Sequence, residues 1–360
     1  MHPLAARRIL RLAFGTALSL LVSQLFSWPL AFIAPVFTMF LLALPMPAPN
    51  IRQGLGMVLL VVLPMVASLG LVPLLLHARW AGILLVALAF WFVFRFTAGG
   101  GSPLLGTFMT IGLALVVTVG SVNQDVLVLL ISAMSGNVLA GVAFVLVAHW
   151  ALPDLPAAML RGPPRRPARD GAAAARNATR SLVITLPLIL LFLFSSASAA
   201  YVPVMIKVAS LGQQASTAES RAMGLSLLSS TFWGSVWAVV VWWLLRIWPS
   251  LILYTLAVAI AGLLFGRRIF QGPAVHPDFS KWAYAFLTML VLLGPAVTDS
   301  LASDGVAFVQ RLGLFMLIAA YGTAAVAVFD ACARKSGSMA HTDCRLEEIS
   351  VSKTTPPAGG

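Results

Sequence analysis

Apolar residues run along this chain in long unbroken stretches, without the strict alternation of strands or the one-sided period of soluble helices. Cut at their polar breaks, they give six segments in the first half, at about 12–28, 30–46, 55–76, 80–97, 103–121 and 126–150. The second half gives six more, at about 181–197, 199–214, 223–247, 249–266, 281–298 and 306–330. An apolar run of roughly 17–25 residues can cross a bilayer as a helix, which satisfies its own backbone hydrogen bonds in lipid. The pattern predicts an all-α polytopic integral membrane protein with about 12 transmembrane helices. The segment 199–214 is the weakest, because it carries Lys207 and would not be chosen on hydropathy alone.

The polar punctuation of the first half recurs in the second. Arg11, Pro35 and Arg52 mark one block and Arg180, Pro203 and Arg221 the other, with the two arginines of each set 41 residues apart. Similar strings surround them, RLAFGTALSLLV, IAPVFTMF and IRQGLGMVL against RSLVITLPLILL, YVPVMIKV and SRAMGLSLL. A period near 169 residues is too long for a solenoid and fits a duplicated transporter half. The correspondence of Pro35 with Pro203 is what argues that 199–214 spans. An even number of spans per half makes the two six-helix repeats parallel rather than inverted. The expected organisation is a first repeat over 1–155, a linker rich in Pro, Arg and Ala over 156–176, a second repeat over 177–332 and a disordered tail over 333–360.

Composition agrees with a membrane setting. Of 360 residues, 60% are hydrophobic and 9% charged, with mean hydropathy +0.97; a soluble domain carries about 25% charged residues. The net charge of +12 is explained by topology rather than nucleic acid, since cytoplasmic loops collect Lys and Arg. With the N-terminus inside, 19 of the 23 basic residues fall on the cytoplasmic face, and both termini are cytoplasmic. The first segment follows Arg7, Arg8 and Arg11 but lacks a small-x-small cleavage site, so it reads as an uncleaved first span. The expected location is the bacterial inner membrane.

Candidate chemistry is sparse. Lys207 lies mid-span, where a lysine costs about 2.5–3.5 kcal/mol on insertion scales. It reads either as an attraction point for an anionic substrate or as a side chain that snorkels to the headgroups. Its counterpart in the first repeat is Thr38, and Thr38 and Asn137 join Lys207 and Arg311 as candidates for the substrate pathway. Arg311, near the outer end of the last span, reads as a pathway residue or as a partner of Asp304. Asn137, in the row Ser132, Gly136 and Ala140, reads as an interhelical hydrogen bond, its small neighbours as close helix packing. His149, Asp330 and Asp304 are the groups available for proton linkage, since no carboxylate falls in mid-span. Cys332, His341 and Cys344 match no standard metal spacing. No metal or other cofactor is expected, and there is no nucleotide-binding motif, HExxH or nucleophile elbow. The scattered histidines give no enzyme constellation, so the chain reads as no enzyme.

The opening RILRLAFGTALSLLVSQLFSWPLAFIAPVFTMFLLALPMPAPNIRQGLGMVLLVVLP resembles the membrane domain of the fusaric acid resistance and aromatic acid exporter superfamily. That domain begins with an Arg-led span and a short span with an aromatic-Pro segment, and an Arg followed four residues later by Gly introduces its third. Here these are Arg52 and Gly56; the second half has Arg221, with its glycine displaced to Gly224. The resemblance covers roughly 5–332 and marks a compact branch, because relatives carry sizeable cytoplasmic domains after each block. It implies inner-membrane export of small aromatic or other organic acids with a periplasmic membrane-fusion adaptor and in some systems an outer-membrane channel. Arg52, Gly56, Arg221 and Gly224 then become candidates for a cytoplasmic gate or for structural roles. Major-facilitator transporters share twelve spans in parallel halves, but PAPNIRQG lacks their loop signature.

The expected function is therefore secondary transport of a small, anionic organic compound out of the cell. Lipid and the organic acid are the expected partners, nucleic acid is not, and a homo-oligomer is compatible with the sequence. The alternative is a non-transporting scaffold or assembly subunit of an envelope complex, which the lack of embedded carboxylates and soluble domains would also suit.

Overall fold

A computed structural model describes residues 3–44, 48–101, 103–120, 124–153, 171–193, 202–217, 221–271, 274–275, 279–298 and 305–354. In the first half the chain forms α1 (Pro3–Leu25), α2 (Ile33–Ala43), α3 (Ile51–Ser68), α4 (Leu71–His77), α5 (Arg79–Ala98), α6 (Pro103–Gly120) and α7 (Gln124–Ala151). In the second it forms α8 (Gly171–Leu193), α9 (Val202–Thr217), α10 (Arg221–Ile247), α11 (Leu251–Ile269), α12 (Phe279–Thr298) and α13 (Gly305–Thr354). Each of the twelve predicted segments coincides with a helix once α3 and α4, parted by a turn at Leu69 and Gly70, are counted together. Eight of these units are long and apolar enough to cross a membrane. Strands β1 (Phe270–Gln271) and β2 (Ala274–Val275) add a two-residue antiparallel ladder that the apolar pattern does not announce.

Helix pairing carries the repeat into three dimensions. The first helix of each half packs against the fourth unit of the other, α1 on α11 and α8 on α5. The second helix of each half meets the fifth of the other, α2 on α12 and α9 on α6. Within each half the third unit lies on the fifth and sixth, α3 on α6 and α7, α10 on α12 and α13. The α1–α11 seam is held close by Gly262, where a Cβ would lie 2.8 Å from Ala13 Cα; small residues at such crossings let backbones approach without hydrocarbon between them.

The helices sort into two layers. Four are buried on every side: all of α2, Val204–Gln213 of α9, Ala283–Ala296 of α12, and Gly106–Gly120 of α6 apart from half-buried Met109. The outer helices turn apolar residues such as Leu59, Leu63, Leu84 and Leu88 outward, a surface that suits lipid and not water. Trp80, Trp150 and Trp248 are strongly exposed at helix ends, where indoles favour the headgroup zone. At 11 residues, α2 rises only about 16 Å at 1.5 Å per residue and packs wholly inside the bundle.

Three sequence boundaries shift. Helix α8 begins at Gly171, ten residues before the apolar segment, because the run GAAAAR is rich in strong helix formers. The rest of the expected linker, 156–170, lies outside the described residues. Helix α13 continues to Thr354, past the point where polar composition predicts disorder. Extending a formed helix needs no new nucleus, and the chain meets no proline until Pro356.

Arg11 and Arg180, which topology places among the cytoplasmic charges, are 4% and 6% exposed. Arg11 donates from Nε and Nη2 to Leu152 O at 3.1 and 2.6 Å, and Arg7 Nη1 donates to Pro153 O at 3.0 Å. The last carbonyls of a helix have no partner within it, and the helix dipole makes that end negative, so α1 caps α7. In the second half the Arg180 guanidinium lies 5.9 Å from the Phe329 ring of α13. The repeated arginine therefore ties the first helix of each repeat to its last.

Candidate functional site

Among the buried polar side chains of the inner layer, one line begins at Lys207 of α9. Lys207 is 4% exposed, and its Nζ donates to Thr288 Oγ1 of α12 at 3.1 Å. Thr288 in turn donates to Tyr284 O at 2.8 Å. Because the threonine proton is committed to that carbonyl, its oxygen is left to accept from the lysine. Six residues further along α9, Gln213 repeats the device against α6. Its Nε2 donates to Thr110 Oγ1 at 2.6 Å and to Gly106 O at 2.9 Å, while Thr110 donates to Gly106 O at 2.7 Å.

The two threonines occupy equivalent places in the repeats, within Phe108-Met109-Thr110 and Phe286-Leu287-Thr288. Helix α9 thus reaches one threonine in each half and bridges them. Aromatic rings close the space beside this line: Phe37 and Phe40 stand edge-on to Phe108, with centroids 4.5 and 6.0 Å away, and Phe40 lies 5.6 Å from Tyr284. Tyr284 OH and Thr107 Oγ1 are 3.4 Å apart. The assembly brings together one cation, several hydroxyls and four rings.

Thr38, the counterpart of Lys207, is fully buried in α2. Its Oγ1 lies 2.9 Å from Ala34 O and 3.3 Å from both Ser19 Oγ and Gly141 O, so its single proton serves packing among α1, α2 and α7. Asn137 donates from Nδ2 to Ala133 O at 2.7 Å and to Pro29 O at 2.9 Å, which pins α7 to the turn between α1 and α2. That turn holds Ser27 and Leu30 at φ of 49° and 55°. His149 is buried in the last turn of α7 with Nδ1 2.9 Å from Val145 O, its position there fixing the proton on Nδ1. Arg311 is half-buried in the second turn of α13.

Arg52 is exposed in the first turn of α3, whose start is capped by Asn50 and Gln53. A Cβ at Gly56 would meet nothing within 4 Å, whereas one at Gly54 would lie 2.7 Å from Val142 Cγ1; the crowded glycine is the one two residues earlier. Arg221 opens α10, with Gly224 in its first turn, and the side chains there are not described. Asp330 falls on α13 without a described side chain, and Asp304 lies outside the described residues. Cys332, His341 and Cys344 likewise lie on the part of α13 whose side chains are not described.

The sequence reading singled out Lys207 but missed Thr288, Gln213, Thr110, Tyr284 and Thr107. The recurring Phe-x-Thr in the fifth span of each half was a signal for two of them. The others look like ordinary span residues until the helices are packed.

A family described as a protein of unknown function (DUF2955) matches residues 8–150, which is the first repeat from Arg8 to the last turn of α7. No curated protein and no solved structure matches the chain.

Proposed function

We propose that the protein is a secondary exporter of small organic anions, aromatic carboxylates in the first place, in the bacterial inner membrane. One observation carries the reading: a lysine ammonium sealed in the innermost layer whose one hydrogen bond, among the described residues, is to a neutral hydroxyl. An ammonium has three N–H donors, and a buried charge is costly unless paired. An intramembrane ionisable residue of this kind points to a substrate or ion path, and a carboxylate arriving at Lys207 would supply the missing counter-charge. Rings at Phe40, Phe108 and Tyr284 give a flat substrate apolar surfaces, and Gln213 and Thr107 give it polar edges.

The parallel repeats support alternating access around a site between the halves, with α9 as the element that touches both. The resemblance to aromatic acid exporters supports the substrate class, the periplasmic adaptor and the orientation with both termini inside.

Reconstituted vesicles loaded with a panel of aromatic and hydroxylated acids test the proposal. Wild type should release at least one of them faster than protein-free vesicles, and Lys207→Ala should not. Absence of flux for the whole panel, with an adaptor still co-purifying, would replace the exporter by a scaffold.

A further inference from the structure

Helices α8 and α13 do not close against one another along their length. Between them runs a groove of about 420 Å³, walled by Val183 and Ile184 on one side and by Tyr321, Ala325, Val328 and Phe329 on the other. Val183 and Val328 are more than half exposed, so the groove opens on the lipid side of the helix layer. The repeat explains why it exists. Ile184 stands where the first half has Gly15, 169 residues earlier. At Gly15 a Cβ would meet Leu42 Cδ1 of α2 and lie 3.0 Å from Ala148 Cβ of α7, so the glycine lets both α2 and α7 lie close on α1. The larger Ile184 keeps α13 away from α8, and a seam that is shut in one repeat stands open in the other.

The groove has a charged end. Phe329, part of its wall, takes the Arg180 guanidinium at 5.9 Å. Arg180 precedes Val183 and Ile184 by one helical turn, and Arg176 precedes Arg180 by another, so all lie on one face of α8. Arg176 is exposed. No Asp or Glu occurs anywhere in Gly171–Leu193, so the helix itself brings no negative charge to this face.

An apolar slot that opens to lipid, with an exposed arginine two turns along the same helix face, has the chemistry of one amphiphile. We propose that this groove is a binding site for an anionic phospholipid, one acyl chain lying between α8 and α13 and the phosphate at the exposed Arg176. The proposal is independent of what the protein transports.

Full-length protein purified in detergent and supplied with phosphatidylglycerol or phosphatidylcholine of identical acyl chains tests it, with bound lipid counted by native mass spectrometry. Wild type should hold one phosphatidylglycerol with a preference of about fivefold, the contribution of the one arginine that reaches the phosphate. Arg176→Gln should keep the lipid and lose most of that preference. Ala325→Phe should fill the groove and release the lipid, while its unfolding temperature in lipid-free detergent stays that of wild type. Equal binding of the two lipids, or full retention of phosphatidylglycerol by Ala325→Phe, would overturn the site. So would disulfide capture of a second copy of the chain through Val328→Cys, because the groove would then be a protein interface.

Discussion

Replacing Lys207 by methionine separates what the ammonium does for the fold from what it does for a substrate. Methionine keeps the length of the stem, so the change removes charge without opening a large cavity. The wild-type lysine carries an insertion cost of about 2.5–3.5 kcal/mol, and against it stands one hydrogen bond from a charged donor, worth about 1.5–3 kcal/mol, to Thr288 Oγ1 at 3.1 Å. The two nearly cancel, with a surplus of roughly 0–2 kcal/mol in favour of the methionine. Lys207→Met should therefore unfold at the same temperature as wild type or higher, followed by tryptophan fluorescence in detergent. In the same preparation its efflux of aromatic acids from vesicles should fall to background. A variant destabilised by more than about 2 kcal/mol would mean that the ammonium is a structural strut with partners beyond Thr288, outside what a single hydrogen bond can account for. A stable variant with full efflux would remove Lys207 from the pathway.

Other outcomes follow from the packing. Arg11→Gln, which loses both guanidinium bonds to Leu152 O, should cost about 1.5–3 kcal/mol and increase protease cutting after α7; unchanged cutting would deny the cap. Ser27→Gly relieves an exposed residue at φ 49° and should raise the unfolding midpoint by an amount worth about 1 kcal/mol. Gly262→Ala places a methyl 2.8 Å from Ala13 Cα and should destabilise by about 1–3 kcal/mol, whereas Gly56→Ala, with open space around it, should be neutral or gain up to about 1 kcal/mol. Equal effects of the two alanines in a thermal scan would contradict the α1–α11 contact.

Much of the architecture was legible because membrane spans declare themselves by apolar length, and the 169-residue recurrence rescued α9, the one segment whose hydropathy is spoiled by Lys207. Which of the two glycines after Arg52 is crowded was not legible, since Gly54 and Gly56 differ only in which helix face they occupy, and that depends on where α7 lies. The burial of Arg11 and Arg180 was hidden for a related reason. A basic residue at a span end satisfies the positive-inside pattern whether it faces water or a neighbouring helix terminus. The line from Lys207 to Thr110 could not be read from any one span, because each hydroxyl or amide on it looks like span filler until α9 is laid between the fifth helices of the two halves.

The exchange of helices between the halves also sets a timetable for synthesis. Ala13 of α1 packs on Gly262 of α11, nearly 250 residues later in the chain. At about 5–20 residues per second, the rate at which chains are made, α1 enters the bilayer on the order of 12–50 s before its neighbour exists. During that wait the small-residue face of α1 meets lipid or a helper of the insertion machinery. A truncation anywhere before α11 therefore leaves that face of the first-made helix uncovered, while its contacts with α2 and α7 remain.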